Sequence, residues 1–328
     1  MPKKNYVNIT VFTVLVLAFS LLPVTAANQN SRIIRLGGST KEYSALITIA
    51  QKNNYFKTNN LNIITKQYEY GVLALDALSQ DKIDIAVATD FAIVNKLFED
   101  QNLRIIAAIA KIGNIKIFSM KGKGIKVPGD LKGKKIGFTP KTSGEFSLIK
   151  YLILNNIPLE SVRKVAVPPS QIYNSLLNGK VDAIVSWEPS LLKVRQLLKD
   201  RVNIWPAQED QDFYWLLVTS DSYLKNNAEA INDFLGSLLQ SEKFLNENPA
   251  RTKQILSDKF NMPSEIIDSY WSSVKYNISL EQALLFAMED QARWILSQER
   301  KNVMPNYLKY IYLPALEKLN PEAVTIIR

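Results

Sequence analysis

The chain predicts an α/β protein of two similar lobes with C-terminal helices, and three observations carry that reading. Ser39-Thr40-Lys41-Glu42-Tyr43-Ser44 follows an apolar, strand-like run and opens a helical pattern, and Thr142-Ser143-Gly144-Glu145-Phe146-Ser147 does the same. Ala77-Leu78-Ser79-Gln80-Asp81-Lys82-Ile83-Asp84-Ile85-Ala86-Val87 is answered by Ser175-Leu176-Leu177-Asn178-Gly179-Lys180-Val181-Asp182-Ala183-Ile184-Val185. Both copies end on an acid, Asp90 in the first and Glu188 in the second. Two such lobes usually face each other across a cleft, and clefts are where small ligands bind. The repeat therefore bears on function as well as on fold.

Residues 33–36 read as the first strand, ended by Gly37-Gly38. Ser39 and Glu42 have capping-box spacing, the serine accepting from the first turn and the glutamate reaching back. The helix continues through Ala45, Leu46, Ile49 and Ala50 until Asn53-Asn54 stops it. Residues 61–68 form a second strand, 72–79 a short helix, 83–88 a third strand and 91–98 another helix. Residues 103–109 are a buried strand of β-branched and small apolar side chains. This alternation favours a parallel sheet covered on both faces.

The second lobe repeats the order. Residues 115–120 make a connecting strand, and the polar turn Asp130-Leu131-Lys132-Gly133-Lys134-Lys135 precedes a strand over 136–138. Thr142 and Glu145 form a second capping box, with a helix through Leu148, Tyr151 and Leu152 to Asn155-Asn156. Residues 162–167 are a strand halted by Pro168-Pro169, 171–177 a helix, and 181–185 a strand ending in Trp187-Glu188-Pro189. The apolar run 213–219 leads back to the first lobe. Helices follow over 228–246, 249–260, 263–276 and 280–299, and the only later strand signal is 324–327. The expected division is 27–114 with 221–328 in one lobe and 115–220 in the other.

Lys3 and Lys4 precede an apolar stretch over residues 11–22, and Val24-Thr25-Ala26 supplies small residues at a cleavage point. This is the three-part form of a secretory signal peptide over residues 1–26, cleaved after Ala26. The other reading is a retained anchor, for which the run is short and bordered by Pro23. Losing Lys3 and Lys4 lowers the formal net charge from +9 to +7. Lys and Arg are scattered without a long block, which suits a solvated basic surface and no nucleic-acid partner. The 328 residues contain no cysteine, so there is no disulfide, thiol nucleophile, Cys-based metal site or lipid-modified cysteine. They contain no histidine either, which excludes Ser-His and Cys-His catalysis and argues against zinc. No enzyme activity, cofactor or metal is expected.

In an open parallel sheet, ligands sit beyond the carboxyl ends of the strands. The residues that fall there are Ser39, Thr40, Tyr43, Tyr68, Tyr70, Thr89, Asp90, Thr139, Thr142, Ser143, Trp187 and Glu188. Capped helix starts add N–H donors with partial positive charge, which hold a carboxylate, sulfonate or oxyanion without an arginine. Tyr68, Tyr70 and Trp187 could close over an apolar or planar ligand part. Asp90 and Glu188 could accept from an amine or ring nitrogen, or repel an anion. Each has a structural reading beside the ligand one. Ser39 and Thr142 cap helices, Tyr43 and Phe146 suit a core, and Asp84 and Asp182 read as turn residues before buried strands. Lys141 suits a solvated loop. Glu188, held out of helix by Pro189, suits an inter-lobe bond equally well.

Asp130-Leu131-Lys132-Gly133-Lys134-Lys135-Ile136-Gly137, Leu177-Asn178-Gly179-Lys180-Val181-Asp182-Ala183 and Trp187-Glu188-Pro189 resemble the nitrate/sulfonate/taurine group of ABC-importer substrate-binding proteins. That group takes in proteins for thiamine pyrimidine precursors, and the resemblance runs over residues 33–299. It implies a periplasmic-binding-protein fold of the second type, closing like a flytrap, with Ser39, Thr40, Tyr68, Thr89, Thr142, Ser143, Trp187 and Glu188 lining the cleft. With no histidine, any family pattern that uses one for metal or ligand contact cannot apply. The acidic pair favours a zwitterion or nitrogen-rich ring over a bare oxyanion. The expected function is that of a periplasmic, soluble, monomeric receptor. It takes a sulfonate, a taurine-like zwitterion or a pyrimidine to an ABC permease and meets the membrane only there. The rivals are a ligand sensor and a pyrimidine-precursor synthase-like enzyme; the latter resembles this group but works in the cytoplasm with a histidine.

Overall fold

The computed structural model describes residues 1–2, 31–39, 45–113, 115–187, 194, 197–207, 211–299 and 303–328. All but Met1 and Pro2 of the expected signal segment lie outside the described residues. Among the described residues no helix is long and apolar enough to cross a membrane.

The first strand, β1 (Arg32–Gly38), buries Ile34 and Leu36 completely and leaves Ile33 exposed, the alternation of a pleated strand. It leads to α1 (Ala45–Lys52), α2 (Tyr55–Thr58), β2 (Leu61–Gln67), α3 (Gly71–Ser79), β3 (Ile85–Thr89), α4 (Asp90–Leu97) and β4 (Leu103–Ile112). β3 and β4 are almost unbroken apolar runs because helices cover both faces of the sheet. The chain then forms β5 (Lys116–Met120), β6 (Lys135–Phe138), α5 (Ser143–Leu154), β7 (Arg163–Ala166), α6 (Pro169–Leu177), β8 (Ala183–Ser186) and β9 (Val202–Pro206). It finishes with β10 (Phe213–Ser220), α7 (Asp221–Glu247), α8 (Pro249–Phe260), α9 (Ser264–Trp271), β11 (Val274–Lys275), α10 (Gln282–Glu299) and α11 (Pro314–Leu319).

Two sheets result, in the orders β11-β4-β10-β3-β1-β2 and β7-β6-β8-β5-β9. Each sheet with its helices is a lobe. In each, four strands run in one direction and another is inserted antiparallel among them: β10 between β3 and β4, and β5 between β8 and β9. Each sheet is therefore mixed where the strand–helix alternation favoured a parallel one. Each inserted strand has just crossed from the other lobe, β5 directly after β4 and β10 after β9. The return crossing accordingly falls before Phe213, since β10 pairs with β3 and β4, as expected of an apolar run that leads back to the first lobe. The two crossings meet, Ala207 N donating to Ile115 O at 2.9 Å.

Three elements differ from expectation. β9 carries Asn203 and Pro206 and pairs on one side only, so its pattern is weak in sequence. The helix expected over 263–276 ends at Trp271, because Val274 and Lys275 pair with Ile112 and Lys111 at the sheet edge. Residues 324–327 contribute one bridge, Val324 to Leu280, and no strand.

The repeated aspartates explain why the two lobes share a register. Asp84 donates its N–H to Arg35 O at 2.8 Å, and its carboxylate accepts from Arg35 N at 2.7 Å and Arg35 Nη2 at 2.6 Å. Asp182 makes the same pair of bonds to Lys135 N and O, both 2.8 Å, without a guanidinium. Each aspartate thus pins the start of a third strand to the first, the structural role read from the sequence. Asp84→Ala should cost about 2–3 kcal/mol, since it orphans a buried N–H and a charged partner. Asp182→Ala, half-buried and without an ion pair, should cost about 1 kcal/mol. Urea-denaturation midpoints of the two variants check the difference.

Candidate functional site

A cavity of about 40 Å³, opening to solvent at its mouth, lies between the lobes at the carboxyl ends of the parallel strands. Its floor is the hinge itself: Ile112 at the end of β4, Ile115 just past the first crossing, and Phe213 at the start of β10. The first lobe adds Ser39, Tyr70, Gly71, Val72, Thr89, Ala92 and Trp215, and the second adds Thr142, Ser143 and Trp187. Among the described lining residues there is no charged side chain.

Of the residues expected at a ligand, Ser39, Tyr70, Thr89, Thr142, Ser143 and Trp187 come together at this cavity. Thr40, Tyr43 and Glu188 lie outside the described residues. Tyr68 packs its ring across β1, where a Cβ on Gly37 would meet it at 2.8 Å. Thr139 is buried, with Oγ1 donating to Val167 O at 2.9 Å, so it ties β6 to the end of β7. Asp90 is fully buried behind the wall: one oxygen accepts from Phe91 N, the other from Gln291 Nε2 of α10, both at 2.9 Å. These three are placed away from the cavity by bonds and packing that consume their polar or flat surfaces.

The second capping box also forms differently. Thr142 Oγ1 donates to Thr139 O at 2.7 Å and accepts nothing from the first turn. Glu145 reaches back one residue further than expected, to Lys141 N at 2.7 Å. Lys141 sits at φ 58°, the left-handed region, which turns the chain sharply into α5.

Helix starts dominate the electrostatics, because the first N–H groups of a helix have no partner inside it. α3, α4 and α5 all begin at the cavity, with Tyr70, Thr89 and Thr142 as their N-cap residues. Asp90, the first residue of α4, places its own carboxylate on that helix start. The start of α6 holds a carboxylate too, since Ser170 N donates to Glu69 Oε1 at 2.7 Å. The start of α5 differs. Ser143 is 5% exposed, lines the cavity, and its Oγ has no hydrogen-bond partner among the described residues.

Glycines set how closely the walls approach. A Cβ on Gly71 would lie 2.8 Å from Ala88 Cα, so only glycine lets α3 start against β3. A Cβ on Gly144 would lie 3.1 Å from Trp187 Cζ3, so the indole rests on the first turn of α5. The sequence reading did not single out Gly71, Val72, Ala92, Ile112, Ile115, Phe213 or Trp215. Trp215 sits inside an apolar strand whose side chains are otherwise core, and periodicity cannot separate cavity-facing from core-facing in such a run.

The two sheets, their exchanged strands and the hinge-floored cleft define the periplasmic-binding-protein fold. A family model described as NMT1/THI5 like matches residues 41–252, so the chain belongs to that family. A candidate binding protein of Brucella abortus (strain 2308) is 24% identical over 264 residues, covering 77% of this chain and 81% of the relative. The alkanesulfonate-binding protein SsuA of Xanthomonas axonopodis pv. citri, solved bound to MOPS, superposes with a TM-score of 0.72. It is 17% identical and covers 85% of this chain and 98% of its own. The desulfurization enzyme DSZB superposes at 0.64 with 11% identity, over 88% and 98% of the two chains. At these identities the superpositions show the fold, and one fold serves a receptor and an enzyme.

Burial raises the Asp90 carboxyl to about 7, against the bonds from Gln291 and backbone N–H groups that favour its charged form. A carboxyl whose folded value is raised stabilises the fold below its ordinary 3.8, and that contribution is lost as pH climbs through about 7. Asp90→Asn removes the titration, and Gln291, whose Oε1 has no partner, can turn to accept from the new amide. Wild-type stability should therefore fall across that window by no more than about 4 kcal/mol relative to the variant. Urea midpoints followed from acid to neutral pH check the sign.

Proposed function

We propose that the chain is an extracytoplasmic solute-binding protein, which holds a small organic anion in the inter-lobe cleft and delivers it to an ABC importer. The observation that carries this reading is Ser143: a buried hydroxyl at the start of α5, without a partner among the described residues, facing a cavity walled largely by aromatic and aliphatic groups. A buried hydroxyl without a partner is costly, and a ligand oxygen at the α5 start would satisfy it along with the first-turn N–H groups. Tyr70, Trp187, Phe213 and Trp215 would cover the rest of the solute. The name of the Xanthomonas structure, an alkanesulfonate-binding protein, supports a sulfonate head.

Asp90 does not reach the cavity, which removes one of the two acids that favoured an amine. A singly anionic aryl or alkyl sulfonate is thus favoured over a taurine-like zwitterion. Export through residues 1–26 and hand-over to a permease belong to the same reading, supported by the leader pattern and the fold. An enzyme is disfavoured because these 328 residues contain no histidine or cysteine to act as base or nucleophile.

A thermal-shift panel of benzenesulfonate, ethanesulfonate, taurine, nitrate and pyrimidines tests the class. A ligand at a hundred times its Kd adds about 2.7 kcal/mol of stability; silence from every sulfonate would sink the sulfonate reading. Ser143→Ala should weaken the best sulfonate by about tenfold to a hundredfold in calorimetry, because a bond to a charged group is lost. Its own melting temperature should not fall, because no bond inside the chain is lost. Gly144→Ala favours the helix by up to about 1 kcal/mol. It should nevertheless weaken benzenesulfonate more than ethanesulfonate, because the displaced indole narrows the space for a ring. Equal losses on the two compounds would show that Gly144 does not set the indole's position.

A further inference from the structure

We infer that Glu69 and Lys141 form a two-point latch across the cleft, which sets how often the lobes close and so how tightly the cleft binds. The lobes are apposed in this structure: Phe146 of α5 packs at a tilt of 32° against Phe91 of α4 with ring centroids 5.1 Å apart, and both rings are almost fully buried. Phe146 also meets Phe213, at the start of the strand that returns through the hinge, edge-on at 6.2 Å. This apolar contact lies between the lobes without a directional bond. Two polar contacts made by exposed groups supply the direction.

The first joins Glu69, between β2 and α3, to the start of α6 in the other lobe. That helix opens with Pro168-Pro169, so its N-cap has no side chain that can accept, and its first helical residue has no N–H to donate. Ser170 N is the first donor it presents, and Glu69 Oε1 takes it at 2.7 Å. A helix that cannot cap itself is thus capped from across the cleft, and loses that cap when the lobes part. The second runs the other way. Lys141 Nζ of the second lobe meets Glu99 Oε1, just after α4 of the first, at 2.5 Å, and Glu99 also holds Lys96 Nζ at 3.3 Å. These cations hold the Glu99 carboxyl below its usual range, the bond from Lys141 first among the causes.

Neither Glu69 nor Lys141 lines the cavity, so the latch acts on affinity through closure and not by touching the solute. It rests on the proposed binding role only for that effect on affinity; the closure itself is measured without ligand. The 328 residues contain no cysteine, so spin labels attach only where cysteines are placed. Lys66→Cys on β2 and Lys164→Cys on β7 are exposed positions on the strands that lead into the Glu69 contact from either side.

In ligand-free protein the label distances should show a closed population. Glu69→Ala should lower the closed-to-open ratio about threefold to tenfold, the size of a lost helix cap. Lys141→Ala should lower it less, by a few-fold as for an exposed ion pair, and added salt should reproduce that effect. Glu69→Gln, which keeps the acceptor, should fall between wild type and Glu69→Ala. Distance distributions unchanged in both alanine variants would overturn the latch, as would a lower melting temperature with unchanged distances. Shifted distances in a protein that binds no sulfonate would sustain the latch while rejecting the sulfonate reading.

Discussion

Each sheet is completed by a strand that has just arrived from the other lobe. β10 wedges between β3 and β4, β5 wedges between β8 and β9, and the two crossings are bonded to each other by Ala207 and Ile115. Neither sheet is whole without the crossing, so the lobes cannot separate by more than a hinge motion while both remain folded. The same exchange puts Ile112, Ile115 and Phe213 at the cavity floor, so the ligand space and the pivot are built from the same residues. Motion at the pivot and occupancy of the cavity are therefore coupled by construction.

What the cavity can bind follows from which helix starts are already occupied. Partial positive charge accumulates where several helices begin at one place, and an unfilled start attracts an anion. Asp90 fills the start of α4 from within, and Glu69 fills that of α6 from across the cleft. The start of α5 presents Ser143 with no partner among the described residues. Ser39, Thr89 and Thr142 add hydroxyl groups to the lining, and most of the remaining wall is aromatic or aliphatic. Under the proposed reading, that geometry would orient an amphiphilic solute head-first instead of enclosing a small symmetrical ion on all sides.

Burial gives the two acids at the strand ends different uses than a ligand contact. Asp90 is enclosed by α4, α10 and the start of β10, where it ties a C-terminal helix to the cavity wall and carries a raised proton affinity. Its exposed counterpart in electrostatic terms is Glu69, whose carboxylate stays at the surface and bridges lobes. Both neutralise helix starts, and burial raises the Asp90 carboxyl to about 7.

The lobes, most of the strands and the helix starts at the strand ends were legible because they are local. An apolar run of the right length, a turn residue and a cap-forming residue act within a few positions of one another. The repeat was legible for the same reason: Asp84 and Asp182 occupy equal places in two similar segments and make the same bonds to the first strand of each lobe. The sequence also determined that no histidine or cysteine chemistry is available in these residues. The tertiary structure alone decided that β10 belongs to the first sheet, that Asp90 turns toward Gln291 and away from the cavity, and that Trp215 and Phe213 face the ligand space. Each of these depends on a partner far along the chain, 201 residues away for Asp90 and Gln291, and no local pattern encodes such a partner.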